Sequence, residues 1–246
     1  MTAPQRAVVV TGGGKGIGKA VVARFAAAGD RVVAVGRDRP ALEATEAAAA
    51  EVCDVTDETQ VTALFERLGA IDVLINNAGD ATSAPLERTT LDDWRAQLDV
   101  NATGAFLCTR AVVGGMIARK DGRIVTVAST AGLVGSRYTA AYTASKHAAI
   151  GLMRAVAAEV AGTGVTANAV CPAYVRTDMT RRSIERIVAA TGRSEKETEA
   201  ALIASAPLGR FLEPEEVAMA VTFLASPDAA AINGQTLVLD GGGIQT

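Results

Sequence analysis

Short apolar runs and helical apolar stripes alternate along this chain from one end to the other. Ala7–Val10 is a valine-rich run ending in Thr11 and three glycines, the pattern of a buried strand entering a turn. Ile17, Ala20, Val21, Phe25 and Ala28 then recur at helical spacing, and Gly29 stands where a helix C-cap belongs. The same reading predicts strands at Arg31–Val35, Glu51–Cys53, Val73–Ile75, Arg123–Ala128, Val165–Val170 and Thr236–Leu239. Helices are predicted over the alanine-rich Pro40–Ala50 and over Asp57–Leu68, whose acidic first turn suits the helix dipole. A long helix from Leu91 to about Ala118 is expected to break near Gly114-Gly115. Further helices are expected at Ala141–Ala161 and Pro214–Ala225, with two pieces around Gly192 in Asp178–Ala206. Regular alternation of this kind implies an α/β fold, a doubly wound parallel sheet of about seven strands with right-handed crossovers and helices on both faces. No internal repeat or linker interrupts it, so residues 1–246 read as one domain.

Composition narrows the function. Apolar residues make up 49% of the chain, which is ample for a core, while aromatics are only 4% and argue against stacking platforms for single-stranded nucleic acid. Lys plus Arg (24) against Asp plus Glu (27) gives a net charge of −3, without the basic excess of a nucleic-acid binder. Cys53, Cys108 and Cys171 lie far apart and form neither a disulfide framework nor a Cys-x-x-Cys pair; the single histidine, His147, excludes a His-rich zinc site. No metal is expected. Met1–Arg6 lacks a signal-peptide pattern, and no uninterrupted apolar run approaches ~18 residues, so no membrane span is expected and a reduced, cytoplasmic protein is the default. Trp94 is expected in the core, with a subunit contact as the alternative.

The candidate chemistry begins after the first strand. Thr11-Gly12-Gly13-Gly14-Lys15-Gly16-Ile17-Gly18 joins a strand to a helix, where glycines let the backbone approach a phosphate and the helix start offers free N–H groups. The spacing is Gly-x-x-x-Gly-x-Gly, neither the Gly-x-Gly-x-x-Gly fingerprint nor a P-loop. A dinucleotide is the expected ligand; a turn serving only helix–sheet packing is the competing reading. The second strand ends Val35-Gly36-Arg37-Asp38, with glycine where an acid would hold a ribose 2′-hydroxyl. Arg37 and Lys15 favour the 2′-phosphate of NADP(H) over NAD(H). Against this, Asp38 is placed to pair with Arg37 or to swing toward a ribose, and a solvated surface charge is the competing reading of Arg37.

Tyr142 and Lys146 stand one helical turn apart, and Ser129 ends the strand thirteen residues before Tyr142. A tyrosine near its reference pKa of ~10 is a poor base, but a neighbouring ammonium favours the phenolate and poises the hydroxyl for proton transfer. An amphipathic interface pair is the plainer alternative for Tyr142 and Lys146.

With these residues in place the chain resembles the short-chain dehydrogenase/reductase family over Ala7–Gly242, with a single-domain Rossmann-like fold. The resemblance is carried by the Thr11–Gly18 loop, Asn76-Asn77-Ala78-Gly79, Asn101 in Asp99-Val100-Asn101, Ser129, and Tyr142 with Lys146, and is extended by Asn168, Pro172, Thr177 and Asp240-Gly241-Gly242. It implies a general-acid role for Tyr142, a Lys146 that lowers its pKa and binds the nicotinamide ribose, a Ser129 that polarises the substrate carbonyl, and an Asn101 that holds a relay water. It further implies Gly12, Gly16, Ile17 and Gly18 on the pyrophosphate, Asp54 and Val55 on the adenine, and Asn77, Ala78 and Gly79 under the adenosine ribose. Pro172, Val175 and Thr177 fall at the nicotinamide. The family's usual Pro-Gly after the sixth strand is here Pro172-Ala173, which puts the local loop conformation in question. His147, about 100° round the helix from Lys146, is assigned to packing or a subunit contact.

The resemblance also makes Asp178–Arg210 a substrate lid. Its apolar stripe suggests an acyl or ring-bearing substrate, and Arg181, Arg182, Arg186 and Arg193 read either as ligands for a carrier phosphate or as a solvated helix face. The nearest likenesses are 3-oxoacyl-carrier reductases and polyketide ketoreductases. The His and Lys that hydroxybutyrate dehydrogenases use for a carboxylate are replaced by Ala131 and Thr139. Reduction of a 3-oxoacyl thioester or related ketone is therefore expected, with an oxidative NAD-dependent alcohol or hydroxyacyl dehydrogenase as the alternative and a non-catalytic nucleotide-binding regulator as a third reading. A homotetramer is the family expectation, built on the Leu91–Ala118 and Ala141–Ala161 helices. Ala148, Ala149, Gly151 and Ala155 would permit close approach there.

Overall fold

The valine-rich runs become the middle of a sheet. In the computed structural model, which describes residues 5–204 and 206–245, the order is β1 (Ala7–Thr11), α1 (Gly16–Ala27), β2 (Arg31–Gly36), α2 (Arg39–Glu43), β3 (Ala49–Val52), α3 (Glu58–Leu68) and β4 (Val73–Asn76). There follow α4 (Leu91–Leu98), α5 (Gly104–Arg119), β5 (Gly122–Val127), α6 (Ala140–Glu159), β6 (Val165–Pro172), α7 (Asp178–Thr191), α8 (Glu195–Ala204), α9 (Pro214–Leu224) and β7 (Thr236–Leu239). All seven strands pair in parallel in the order β3-β2-β1-β4-β5-β6-β7. The order reverses between β1 and β4, and at such a switch point the carboxyl ends of the strands open a crevice.

Alternation along the strands sorts the core into two layers. Val9, Leu74 and Ile124 face α3, α5 and α6 through Leu64, Leu107, Met116 and Met153. Val8, Val10, Ile75 and Val125 face α1 and α9 through Val21, Val22, Phe25, Val217 and Leu224. Val8, Val9 and Val10 are completely buried, each contributing roughly 1.5–3 kcal/mol. Caps fix the helix starts: Asp57 accepts from the Gln60 amide, and Thr90 with Asp93 forms a reciprocal pair at α4.

Three expectations need correction. The predicted Pro40–Ala50 helix is only α2, which ends at Glu43, and Ala49-Ala50 instead open β3 against Val33 and Ala34 of β2. The long helix does not break at Gly114-Gly115, which lie inside α5; the irregularity is a π-helical turn at Asp99–Thr103. Trp94 is 37% exposed on α4 and is not a core residue. The continuous stretch Leu91–Arg119 is long and apolar enough by composition to cross a membrane, but in this fold it packs Leu107, Cys108, Val112 and Met116 against the sheet. Gly192 separates α7 from α8, as predicted, and ends α7 in the left-handed conformation. Ser205, within the predicted 178–206 segment, lies outside the described residues.

Candidate active site

The crevice is a cleft of about 880 Å³ along the carboxyl edge of the sheet. Its floor is the glycine loop. Lys15 at the start of α1 has no side-chain cap and no acid follows in the first turn, so the N–H groups and positive dipole end face the cleft. The loop is braced from β4: the Asn77 side chain donates to the carbonyls of Thr11 (2.9 Å) and Gly12 (3.2 Å), and the Thr11 hydroxyl accepts from the amides of Asn77 and Ala78. A β-carbon at Gly18 would overlap the Gly12 carbonyl, and one on Gly16, where φ is +50°, would lie 3.1 Å from Thr177. Only glycine permits this close path, and the resulting cradle fits an anionic pyrophosphate.

At one side of the loop the strand end carries no acid. Gly36, Arg37, Asp38 and Lys15 line the cleft together. Asp38 pairs with Lys15 (2.5 Å) rather than with Arg37, and also caps α2 by accepting from the Ala41 amide. Arg37 is 76% exposed, with Asp54 at 3.7 Å as its loose partner. The bond to Lys15 is the main reason the Asp38 carboxyl titrates below its usual range.

At the other side Ser129, Tyr142 and Lys146 line the wall. Ser129 leaves β5 in extended conformation, its hydroxyl accepting from the Ala131 amide (3.1 Å). Lys146 is 6% exposed, and its Nζ donates to the Val127 carbonyl (3.0 Å). Burial pulls this ammonium down to about 8. Tyr142 differs from expectation. Enclosure pushes its phenol above the usual value and outweighs the opposing hydrogen bond with Ser129. The predicted lowering by Lys146 is not what dominates here.

Asn101 sits in the π-helical turn, buried behind the wall rather than on it. Such turns recur at functional sites because they re-aim one side chain. Its amide donates to the carbonyl of Asp80 (2.9 Å) and to the Ser145 hydroxyl (3.1 Å), which in turn donates to the Tyr142 carbonyl. A β-carbon on Gly79 would lie 2.5 Å from Asn101 Oδ1 and 3.5 Å from Lys146 Nζ, so both polar groups converge on the space that this glycine leaves open.

Gly12, Lys15, Gly16, Ile17, Gly18, Arg37, Asn77, Ala78, Gly79, Pro172, Val175 and Thr177 all line the cleft. Asp54 and Val55 do not: Val55 is buried against Gly104, and Asp54 meets the cleft only through Arg37. Ala173 causes no strain, since its φ is not positive and its amide donates to Leu239. His147 is exposed, its Nδ1 2.9 Å from the Thr143 carbonyl. Asn168 and Asp240 are structural: Asn168 ties β6 to Ile232 and Gln235, and Asp240 accepts three amides of the terminal turn. Ala131 and Thr139 line the cleft and bring no cation.

The α7 arginines do not gather into a phosphate site. Arg181 pairs within α7, with Asp178 and Glu185, while Arg182 and Arg186 reach to Asp80 and to the Ala81 carbonyl. Sequence reading missed Val134, Tyr138, Tyr174 and Met179, which give the cleft its apolar wall. Tyr138 holds φ at +64°, a conformation costing about 1–3 kcal/mol that no sequence pattern announces. Among the described residues no cluster of His, Cys, Asp and Glu could hold a metal.

A family profile described as enoyl-(acyl carrier protein) reductase matches residues 12–243. The chain is 39% identical to a 3-oxoacyl-[acyl-carrier-protein] reductase of Synechocystis, over 95% of each protein. Its structure is similar to that of an actinorhodin polyketide ketoreductase crystallised with NADPH, at a TM-score of 0.91 and 36% identity over 97% of each chain. It is also similar to a short-chain dehydrogenase/reductase-family oxidoreductase from Burkholderia thailandensis. There the TM-score is 0.84 and the identity 38%, over 98% of this chain and 93% of the other.

Proposed function

Because the chain belongs to the short-chain dehydrogenase/reductase family, we propose that it reduces a 3-oxoacyl thioester or related ketone to the hydroxy compound, with NADPH as reductant. The observation that carries this reading is the meeting of Ser129, Tyr142 and Lys146 on one wall of a cleft whose floor is the glycine cradle. The bound nicotinamide supplies the hydride. Gly12, Gly16, Ile17 and Gly18 would hold its pyrophosphate, and Arg37 with Lys15 the 2′-phosphate, since Gly36 offers no acid to a 2′-hydroxyl.

The residues then divide the work. Ser129 donates to the carbonyl oxygen and fixes its position. Tyr142 is a neutral phenol at pH 7, as any tyrosine near its reference pKa is, and it gives its proton to that oxygen as charge develops there. Lys146 stabilises the phenolate left behind, and with one of its three donors spent on Val127, two remain for a ribose hydroxyl and a relay. Asn101, converging with Lys146 over Gly79, would seat the water that returns the proton.

The 178–210 segment is assigned as the lid; Met179 and Ile187 of α7 complete the apolar wall with Val134, Tyr138 and Tyr174, a lining suited to an acyl chain or a ring. The exposed Leu91, Trp94, Phe106 and Ile117 on α4 and α5, beside the small exposed residues Ala148, Gly151 and Ala155 of α6, support a homotetramer. A cytoplasmic location is assigned with it. A ketone and 3-oxoacyl thioester panel, including acetoacetyl-CoA, assayed with NADPH and with NADH tests the reading: consumption of NADPH with a thioester is expected. Oxidation of secondary alcohols by NAD alone would replace it with the oxidative alternative.

A further inference from the structure

Asp80 directly follows the Asn77-Ala78-Gly79 turn, and its main chain holds the Asn101 carboxamide from both sides. Its amide donates to Asn101 Oδ1 (3.3 Å), and its carbonyl accepts from Asn101 Nδ2 (2.9 Å). Its side chain points the other way, to α7, and accepts from Arg182 Nη2 at 3.2 Å. One turn further along α7, Arg186 Nη2 donates to the carbonyl of Ala81 (2.7 Å) and to Ser183. Two arginines on one helix face therefore grip two consecutive residues of the loop that holds Asn101. The groups are 102 and 105 residues apart in sequence, and the grip crosses the rim of the cleft, which Ala81, Arg182 and Ser183 line.

We propose that Asp80 and Arg182 are positioning residues that couple the seating of α7 over the cleft to the orientation of Asn101, a role that rests on the reduction reading above. Neither touches the reacting atoms. Arg182 fixes the Asp80 side chain, the Asp80 main chain fixes the Asn101 carboxamide, and Asn101 converges with Lys146 over Gly79. The Asp80 charge also reaches Tyr142. Burial is the main cause of the raised phenol, and Tyr174, Asp80 and Cys171 add to it against the hydrogen bond with Ser129. Pairing with Arg182 limits that addition.

The test is amide hydrogen exchange on the full-length protein for wild type, Asp80→Asn, Arg182→Gln and the double variant, followed by steady-state kinetics with NADPH and acetoacetyl-CoA. The pair is half-exposed (47% on each side chain), so its loss should speed exchange about two- to fivefold. The increase is expected both in residues 178–191 and in residues 99–103, equal in the two single variants and no larger in the double. In turnover, Arg182→Gln should lower kcat several-fold with the NADPH KM within twofold, and Arg182→Lys should restore most of it. Faster exchange confined to α7, additive single effects, or a rise in ketone KM at unchanged kcat would overturn the coupling. A wild-type protein that reduces no ketone would sink the reduction reading, and the exchange pattern would still decide the coupling.

Discussion

Lys146 is held in the fold at a cost, and replacing it should make the protein more stable as it destroys the chemistry. Holding the ammonium at about 8 instead of 10.5 costs the folded state roughly 3 kcal/mol at neutral pH. Lys146→Met keeps the aliphatic stem and removes the buried charge. It also forfeits the bond to the Val127 carbonyl, worth about 1 kcal/mol. The net prediction is a gain of roughly 2 kcal/mol at pH 7, or a Tm higher by about 4–8 °C for a chain of this length. The pH dependence carries the argument. A lysine whose folded pKa lies below its unfolded one binds fewer protons when folded, so wild-type stability rises as pH climbs from 8 through 10.5. The variant's advantage should be flat below about pH 8, cross zero before pH 10.5 and there give way to a deficit of up to about 1 kcal/mol from the lost Val127 bond. Urea unfolding at matched protein concentration between pH 6.5 and 10.5 measures it. A variant less stable than wild type at pH 7, or a difference that ignores pH, would mean that the buried ammonium is not held at a cost.

Three further outcomes follow from the same geometry. Arg37→Asp should raise the NADPH KM at least tenfold while leaving the NADH KM nearly unchanged, since Arg37 is exposed beside Gly36 with only a loose partner; an unchanged preference in initial-rate assays would remove it from the 2′-phosphate. Gly18→Ala drives a β-carbon into the Gly12 carbonyl and should cost about 1–3 kcal/mol together with most NADPH affinity. Calorimetry and cofactor titration measure the two effects, and a variant with wild-type stability and affinity would contradict the clash. Light scattering should find four copies per particle, and Trp94→Arg on the exposed face of α4 should yield a smaller one.

What the sequence made legible was periodic or local. The continuous apolar run of β1, the helical stripe of α1 and the Gly192 stop each report their own backbone, and so all seven strands are foreseen, β3 with its start two residues late. The failures have physical causes. Ala47–Ala50 reads as helix because alanine has the highest helix propensity, but pairing with Val33 and Ala34 at the sheet edge overrides it. Gly114 and Gly115 read as a break because glycine weakens helices; both lie exposed in a helix anchored by Val112 and Met116. The real irregularity at Asp99–Thr103 has no compositional signal, although it delivers Asn101.

The site was legible where it is contiguous, as in the glycine loop and the Tyr142–Lys146 turn. It was opaque where it depends on folding. Arg182 and Asp80 meet across 102 residues, the arginines of α7 turn out to be engaged by the chain itself, and the raised phenol of Tyr142 follows from an enclosure that sequence cannot show.

In the proposed reaction Tyr142 is the proton donor for ketone reduction by NADPH. That role is tested most directly by comparing wild type with Tyr142→Phe in single turnover of NADPH with acetoacetyl-CoA, with NADPH affinity measured in parallel by fluorescence. Removing one phenolic oxygen should cut the rate at least ~100-fold, the usual worth of a general acid, with the dissociation constant within about twofold of wild type. A variant that reduces the ketone within tenfold of the wild-type rate would show that Tyr142 is not that donor.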